Sequence, residues 1–128
     1  MILPEVISRE PLGPVVREGD DQWEDIVRWT LNALILAESL GVTEANLEEL
    51  AESSADPQVR RLLGVEGEVG APLGLSDAWA RQAIAAGGNY GEIFDRNLGS
   101  GSVLNLARGL NALWTAEPPG VMYPAPIR

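Results

Sequence analysis

Hydrophobic residues recur every three or four positions along most of this 128-residue chain, which is the spacing of an amphipathic helix. The longest such run opens with Asp21 and Glu24, a pair that fits a capping box, and Asp20 before it favours the positive end of the helix dipole. Gly41 supplies the stop, since glycine accepts the left-handed backbone that ends many helices. The apolar stripe consists of Trp23, Ile26, Val27, Thr30, Leu31, Leu34, Ile35 and Leu40. The pattern therefore predicts one long helix before Gly41.

Five shorter helices are predicted after Gly41, from polar caps followed by apolar residues at helical spacing. The first is capped by Thr43 and runs through Glu52, with Leu47 and Leu50 facing inward. Residues 56–64 form the next, which starts at an Asp-Pro pair, and the glycine-rich stretch 65–74 is predicted to be a loop. The other three helices are predicted at 76–87, at 90–99, and after Ser102 with a stripe of Val103, Leu106, Leu110, Leu113 and Trp114.

Both ends of the chain are rich in proline, which removes backbone donors and favours extended geometry. Three prolines fall within residues 1–19 and four lie between Pro118 and Arg128. The predicted fold is mainly α, with about six short helices and one extended N-terminal strand-like segment. The predicted divisions are an extended hinge-like segment (1–19), a helical module (20–116) and a proline-rich extended tail (117–128).

Composition excludes several classes of function. The chain has 19 acidic and 9 basic residues, a net charge of -10, and its scattered arginines form no patch for a phosphate backbone. It contains no Cys and no His, so disulfides, Ser-His-Asp or Cys-His catalysis and zinc-finger sites are excluded. The longest apolar run is far shorter than a transmembrane span, and residues 1–5 lack the layout of a signal peptide. We expect no enzyme activity, no metal, no cofactor, no nucleic-acid partner and no membrane insertion.

Clusters of acidic residues and one glycine-rich loop are candidate sites. Glu48, Glu49 and Glu52, like Glu92 and Asp95, are close enough for acid–base work, but a solvated helix surface is the favoured interpretation. Residues 99–102, Gly-Ser-Gly-Ser, precede a predicted helix and offer backbone amides to an anion. They lack the lysine of a phosphate-binding loop, so a connector ending in a serine cap is favoured.

The four tryptophans divide into two groups. Trp23, Trp79 and Trp114 lie on apolar stripes and are predicted to be core residues, although aromatics of this kind also form binding boxes. Trp29 lies off the main stripe of its helix, at a two-turn spacing from Leu36. This placement predicts a second apolar face, which is either buried on both sides or covered by a partner.

The motifs along the chain also carry a family resemblance. The run LPEVISREPLGPVVREGDDQWEDIVRWTLNALILAESLGVT resembles the return crossing and following helix of the periplasmic general and polar amino-acid-binding proteins of ABC transporters. The later blocks RRLLG, LGLSDAWARQAI, GNYGEIFDRNLGSGS and LARGLNALWT, with the closing YPAPIR, are similar to the C-terminal extension of that family, in the same order.

The resemblance implies a protein of two α/β lobes joined by crossing strands, with the amino acid clamped between them. This chain is similar to the last part only, so residues 2–16 are expected to be a hinge segment and residues 8–13 to lie near the cleft of a whole protein. No position matches the family's ligand contacts, and the ligand-binding residues therefore remain unknown. The resemblance implies a periplasmic location, whereas the chain as written, without a signal peptide, is expected to stay in the cytoplasm.

Two functions follow as alternatives. The first is a C-terminal module of an amino-acid-binding transport component, which meets a polar amino acid only in the full-length context and binds none by itself. The second is a stand-alone helical interaction protein that homodimerises through surfaces left by the missing lobes, including Val6-Ile7 and the Trp29–Leu36 side of the first helix.

Overall fold

A computed structural model describes residues 11–127 of the chain. The described part of the chain is mainly helical, which confirms the predicted fold class. Its elements are α1 (Asp21–Ser39), α2 (Leu47–Ser53), α3 (Pro57–Leu62), α4 (Trp79–Gly87) and α5 (Tyr90–Asn97), with short 3-10 helices at Ala71–Leu73 and Gly109–Asn111. Residues 11–17 have no regular secondary structure.

Helix α1 begins and ends close to the predicted positions, although its cap is one residue earlier. The Asp20 side chain accepts a hydrogen bond from the Trp23 N–H at 3.4 Å, so Asp20 rather than Asp21 is the N-cap. At the other end Gly41 has a φ of 69°, and its N–H donates to the Glu38 carbonyl at 3.1 Å. The N–H of Val42 donates to the Ala37 carbonyl at 2.8 Å, completing a Schellman motif.

Helix α2 starts later than predicted because its expected cap is engaged in a turn. Thr43 and Asn46 exchange hydrogen bonds: the Thr43 N–H donates to Asn46 Oδ1 at 2.7 Å, and the Asn46 N–H donates to Thr43 Oγ1 at 3.2 Å. This turn holds residues 43–46 outside the helix, which begins at Leu47. Helix α3 follows the prediction, since the Asp56 carboxylate caps it by accepting from the Gln58 N–H at 2.8 Å.

Helices α4 and α5 differ in how they are capped. Asp77 lies at the predicted start of α4, but its carboxylate accepts from the Gly70 N–H at 2.9 Å and fixes the preceding loop, so α4 begins at Trp79. Helix α5 carries a full capping box, with Asn89 accepting from the Glu92 N–H and Glu92 accepting from the Asn89 N–H.

The sixth helix predicted after Ser102 does not form. Asn105 and Gly109 have φ values of 47° and 50°, which break a right-handed helix twice within five residues. The Ser102 side chain accepts from the Leu104 N–H in a local turn instead of capping a helix. Its predicted stripe is largely in solvent, and an apolar spacing with no surface to pack against does not stabilise a short helix. The exposed residues of that stripe are Val103, Leu106, Leu110 and Trp114.

The core lies where α1 packs against α3, α4 and α5. It is built from buried side chains of α1 to α4, of the turns that follow α1 and α3, and of the first 3-10 helix. The largest fully buried residues are Leu47, Leu62, Leu63, Ile84 and Val42. Trp79 is a core residue as predicted, at 6% exposed, but Trp23 and Trp114 are 52% and 53% exposed. The prediction was wrong for these two: Trp23 lies in the first turn of α1, and Trp114 lies in the segment whose predicted helix does not form.

The proline-rich tail folds back along α1. The Asn32 side chain donates to the Ala125 carbonyl at 3.0 Å and accepts from the Ala125 N–H at 2.7 Å. Ile127 packs against the core. Leu113 and Met122 form a bridge of the parallel type, the isolated β-pairing found within residues 11–127. The tail thus forms one wall of two depressions on the surface of the protein.

Candidate functional site

Helix α1 has a second apolar face, opposite the one that enters the core. Val27, Leu31 and Ile35 are spaced four residues apart and therefore lie in one row along the helix. Ala33 and Ala37, on the other side, are fully buried in the core. Of the predicted pair Trp29–Leu36, Leu36 is buried in the core, whereas Trp29 is half-buried, packs against the core and also borders this face.

Val27, Leu31 and Ile35 line two adjoining surface depressions, which we together call the α1 groove. One, of about 290 Å³, lies between α1 and the tail and is lined by Arg28, Trp29, Leu31, Asn32, Ile35 and Ala125. The other, of about 200 Å³, lies beside the segment before α1 and is lined by Pro14, Val16, Glu24, Val27, Arg28 and Leu31. Arg28 and Leu31 belong to both, so the two depressions are continuous along the helix.

The polar groups of the α1 groove are already paired within the chain. Asn32 is held by its two hydrogen bonds to the Ala125 backbone. Arg28 forms ion pairs with Glu24 and, at 3.8 Å, with Asp25. The surface of the α1 groove that stays available to a binding partner is therefore mostly apolar. Such a surface suits the burial of another protein surface better than it suits a charged small molecule.

A third depression, the tail cleft, has a mixed lining and a volume of about 380 Å³. Arg61, Gln58 and Ser39 supply polar groups, and Trp114 and Tyr123 form a tilted aromatic pair with ring centroids 5.6 Å apart. The described lining includes no carboxylate. The part of the tail cleft that the structure describes can therefore attract an anion but offers no acidic partner for an ammonium group.

The Gly-Ser-Gly-Ser loop at 99–102 is occupied by a carboxylate of the chain itself. Asp95 Oδ1 accepts from the Ser100 N–H at 2.9 Å and from the Ser100 hydroxyl at 2.8 Å. The Gly101 N–H donates to the Asp95 carbonyl at 3.1 Å. The connector interpretation thus describes this loop, since these donors already have acceptors.

The pKa of Asp95 reports this contact. The hydroxyl of Ser100 and then its N–H hold the pKa of the Asp95 carboxyl below its ordinary value of 3.8. Because the pKa of Asp95 is depressed in the folded state, the contribution of this carboxylate to stability is present above the unfolded pKa and is lost as pH falls through the folded pKa.

We expect Ser100→Ala to raise the pKa of Asp95, measured by NMR titration of its carboxyl carbon. Ser102→Ala is the matched control, because the Ser102 hydroxyl donates to the Gly99 carbonyl; an unchanged Asp95 pKa in Ser100→Ala would contradict the assignment.

The acidic clusters predicted to be solvated do not converge on one another. Glu48 pairs with Arg81 of α4 through Nε–Oε1 at 3.1 Å, while Glu49 and Glu52 are exposed. Glu92 serves its capping box. Arg96, which follows Glu92 and Asp95 near the end of α5, donates to the Gly87 carbonyl at 2.9 Å. Glu48 and Glu92 therefore have structural partners, Glu49 and Glu52 lie on the exposed helix surface, and the described contacts join none of these carboxylates in an acid–base pair.

Arg108 is the important residue that sequence reasoning missed. Its Nη1 and Nη2 lie 2.9 and 3.0 Å from the two carboxylate oxygens of Glu38, a bidentate and mostly buried ion pair. Its guanidinium also sits 5.4 Å from the Tyr90 ring centroid and 5.2 Å from that of Phe94. This contact fastens the irregular segment after α5 onto α1 and α5. The one sequence signal was an acidic residue in the last turn of α1, where the helix dipole disfavours it.

Two further kinds of feature are absent from residues 11–127. None of the helices there combines the length and the apolar character needed to cross a bilayer. The same residues bring no three metal-ligating side chains together.

Comparison with known proteins defines the class. No family model matches the chain. The whole chain nevertheless aligns with curated amino-acid-binding components of ABC transporters at 51–56% identity, and each alignment spans 37% of the relative's length. The chain therefore corresponds to a C-terminal piece of the periplasmic amino-acid-binding proteins of ABC transporters, which confirms the family predicted from the sequence.

Individual relatives make the comparison concrete. A glutamate/glutamine/aspartate/asparagine-binding protein of Rhodobacter capsulatus is 56% identical, and a general L-amino acid-binding periplasmic protein of Rhizobium johnstonii is 55% identical. A putative amino-acid ABC transporter-binding protein of Escherichia coli is 51% identical. Among solved structures, a periplasmic binding protein of an ABC transporter from Brucella ovis, with glutathione bound, matches 98% of this chain and 39% of its own at a TM-score of 0.90 and 52% identity.

Proposed function

We propose that this chain is the C-terminal module of an amino-acid-binding component of an ABC transport system. The observation that carries the proposal is the 51–56% identity over the entire chain to such components, of which the chain spans 37%. In this proposal the module supports a two-lobed binding protein in the periplasm. It has no catalytic role, which agrees with the transport function of its relatives.

The module by itself is proposed not to hold an amino acid tightly. A free amino acid carries an ammonium and a carboxylate, so a tight site needs acidic and basic groups that converge in one pocket. The α1 groove is mostly apolar, and the tail cleft supplies Arg61 without an acidic partner. The groups that recognise the solute are therefore proposed to come from the remainder of the longer protein.

Isothermal titration tests this part of the proposal. We expect the 128-residue chain to show no affinity tighter than about 1 mM for glutamate, glutamine, aspartate or asparagine. The full-length partner for comparison is a fusion in which this chain replaces the matching segment of the Rhodobacter capsulatus relative. The fusion is expected to bind at least one amino acid of the panel. Micromolar binding by the isolated chain would contradict the proposal.

The ligand panel for the fusion should also contain glutathione. A structural neighbour of this chain holds that compound, and glutathione carries a free α-amino-acid end on its γ-glutamyl residue. Binding of both glutamate and glutathione would place the recognition on that shared end. Binding of amino acids alone would restrict the proposed substrate class.

A stand-alone protein that homodimerises is the second candidate function. It is favoured by exposed apolar residues on the irregular segment and tail, among them Val103, Leu104, Val121 and Tyr123. The surface predicted for the dimer changes, because Leu36 is buried and residues 6–7 lie outside the described part of the chain. Light scattering that shows a clean monomer at high protein concentration would count against this candidate.

A further inference from the structure

We propose that the tail cleft binds a small aromatic carboxylate, that is, a flat ring that carries one negative charge and no ammonium group. The proposal goes beyond the proposed function, which assigns no ligand to the 128-residue chain itself. The cleft has a volume of about 380 Å³, and small-molecule pockets usually measure about 300 to 1,000 Å³. It is therefore large enough to enclose a ligand of this size.

Arg61 supplies the positive charge in the described lining of the tail cleft. It lies on α3 three positions after Gln58, so both side chains leave the same face of the helix. The neighbouring Arg60 forms an ion pair with Glu66 at 3.2 Å, whereas the hydrogen bonds and ion pairs found among residues 11–127 include none from the Arg61 side chain. Arg61 is nevertheless half-buried. A guanidinium that is partly removed from water and has no carboxylate bound to it there favours an anion as its partner.

Two aromatic rings line the same cleft and are held on a fixed backbone. Trp114 and Tyr123 form the tilted pair, and the Trp114 N–H donates to the Met122 carbonyl at 3.0 Å. The Met122 N–H in turn donates to the Ala112 carbonyl at 3.1 Å. These two hydrogen bonds join the two stretches of chain that carry the rings. A planar ligand therefore meets rings that its binding does not first have to order.

Two prolines of the tail extend the apolar part of the lining. Pro124 and Pro126 flank Ala125, whose backbone is held on α1 by both hydrogen bonds of Asn32. A proline ring loses no side-chain entropy when a ligand packs against it. A flat apolar body consequently fits this part of the cleft better than a flexible polar one.

The balance of charge selects the class of ligand. The described lining offers one guanidinium, together with Gln58 and Ser39, whose neutral groups can donate to a carboxylate. Because that lining includes no carboxylate for an ammonium group, it disfavours amino acids. The chain also has a net charge of -10, which opposes a doubly charged phosphate more strongly than a singly charged acid. An aromatic monocarboxylate meets all three conditions.

Titration of the 128-residue chain with phenylacetate, followed by proton–nitrogen NMR, tests the proposal. The indole N–H signal of Trp114 is identified by its loss in Trp114→Phe. It should shift saturably, with a dissociation constant of about 0.1 to 1 mM. The indole N–H of Trp23 is the internal control, because Trp23 is equally exposed but lies in the first turn of α1. A Trp114 signal that does not shift saturably, or that shifts no more than the Trp23 signal, would overturn the proposal.

Two further ligands test the charge of the occupant. Benzylamine carries the same ring with a positive charge and should leave the Trp114 signal unchanged. Phenylalanine adds an ammonium group to the ring and carboxylate, and it should bind more weakly than phenylacetate because this group loses water without gaining an acidic partner. Binding of either compound as tightly as phenylacetate would refute the proposed class of ligand.

Arg61→Gln should weaken phenylacetate binding at least about tenfold, since it removes a charge-assisted hydrogen bond. Arg60→Gln is the matched control, because it removes the neighbouring charge, whose partner is Glu66. It should leave the dissociation constant unchanged. Equal dissociation constants for the two variants would overturn the proposal.

A second pair of variants decides the case in which Arg61→Gln does not fold. Tyr123 and Val121 are both 67% exposed on the tail, so truncation of either removes no core side chain. Tyr123→Ala should weaken phenylacetate binding at least about fivefold, since it removes one ring of the aromatic pair. Val121→Ala should not weaken it, and equal losses in the two variants would contradict the proposed site.

Discussion

Replacing Gly64 by alanine is expected to lower the free energy of unfolding by about 4 kcal/mol, among the largest effects of a single small substitution. Gly64 ends α3 with a φ of 70°, a left-handed conformation that disfavours any residue with a Cβ. A Cβ there would lie 2.3 Å from the Asp77 carbonyl oxygen and 2.8 Å from the Ala78 nitrogen. Both neighbours are backbone, so α3 and the start of α4 would have to separate.

Gly41 offers a matched control for this substitution. It ends α1 with a φ of 69° and the same hydrogen-bond pattern, but no atom lies within 4 Å of an added Cβ. Gly41→Ala should therefore lose only the backbone term, about 1 kcal/mol. Urea unfolding followed by tryptophan fluorescence measures both variants. Similar midpoint shifts for the two would show that the close approach of α3 and α4 does not occur.

Replacing Asn89 by alanine is expected to lower the free energy of unfolding by about 3 kcal/mol, from a lost helix cap and an unpaired buried carbonyl. Asn89 is 5% exposed. Its Oδ1 accepts from the Glu92 N–H at 3.0 Å, and its Nδ2 donates to the Val42 carbonyl at 2.8 Å, across 47 positions of the chain. One side chain thus starts α5 and joins it to the end of α1.

Two other variants separate these effects. Asn89→Asp keeps the cap acceptor but loses the donor to Val42, and it places a carboxylate beside Glu92. It should be destabilised at neutral pH and recover part of the loss in acid, where the new carboxyl is protonated. Asn97→Ala, an exposed asparagine on the same helix, should change stability by less than about 0.5 kcal/mol. Calorimetric melting of the three variants provides the comparison, and a loss in Asn89→Ala no greater than in Asn97→Ala would rule out the buried bridge.

The sequence predicted those elements whose signals are local. The Asp-Pro start of α3 and the glycines that end α1 and α3 act through their immediate neighbours, so their positions were predicted well. The starts of α2 and α4 shifted because Thr43 and Asp77 bond to residues of nearby loops instead of to the helices they precede. A capping residue has several possible donors within reach, and spacing alone does not select one.

Features that depend on distant contacts were missed or wrong. The stripe after Ser102 had helical spacing, but the segment is held by Arg108 on Glu38, seventy positions away. A second apolar face of α1 was predicted from Trp29 and Leu36; Trp29 borders that face, but Leu36 belongs to the core. Periodicity gives the angular order of side chains around a helix but not the direction in which the core lies. The contact of Asp95 with Ser100 was also missed, because the sequence does not distinguish a carboxylate that accepts hydrogen bonds from a nearby loop from one that is solvated.

The clasp between Asn32 and the Ala125 backbone has a consequence for biosynthesis. It joins residues 93 positions apart, so it closes a long loop and cannot form until Ala125 has been made. Helices α1 to α5 can collapse together earlier, since translation delivers their residues first. The side of α1 that the tail contacts at Asn32 is consequently exposed on a nascent chain until the tail has been synthesised. A chaperone that recognises apolar helix surfaces can bind there during that interval.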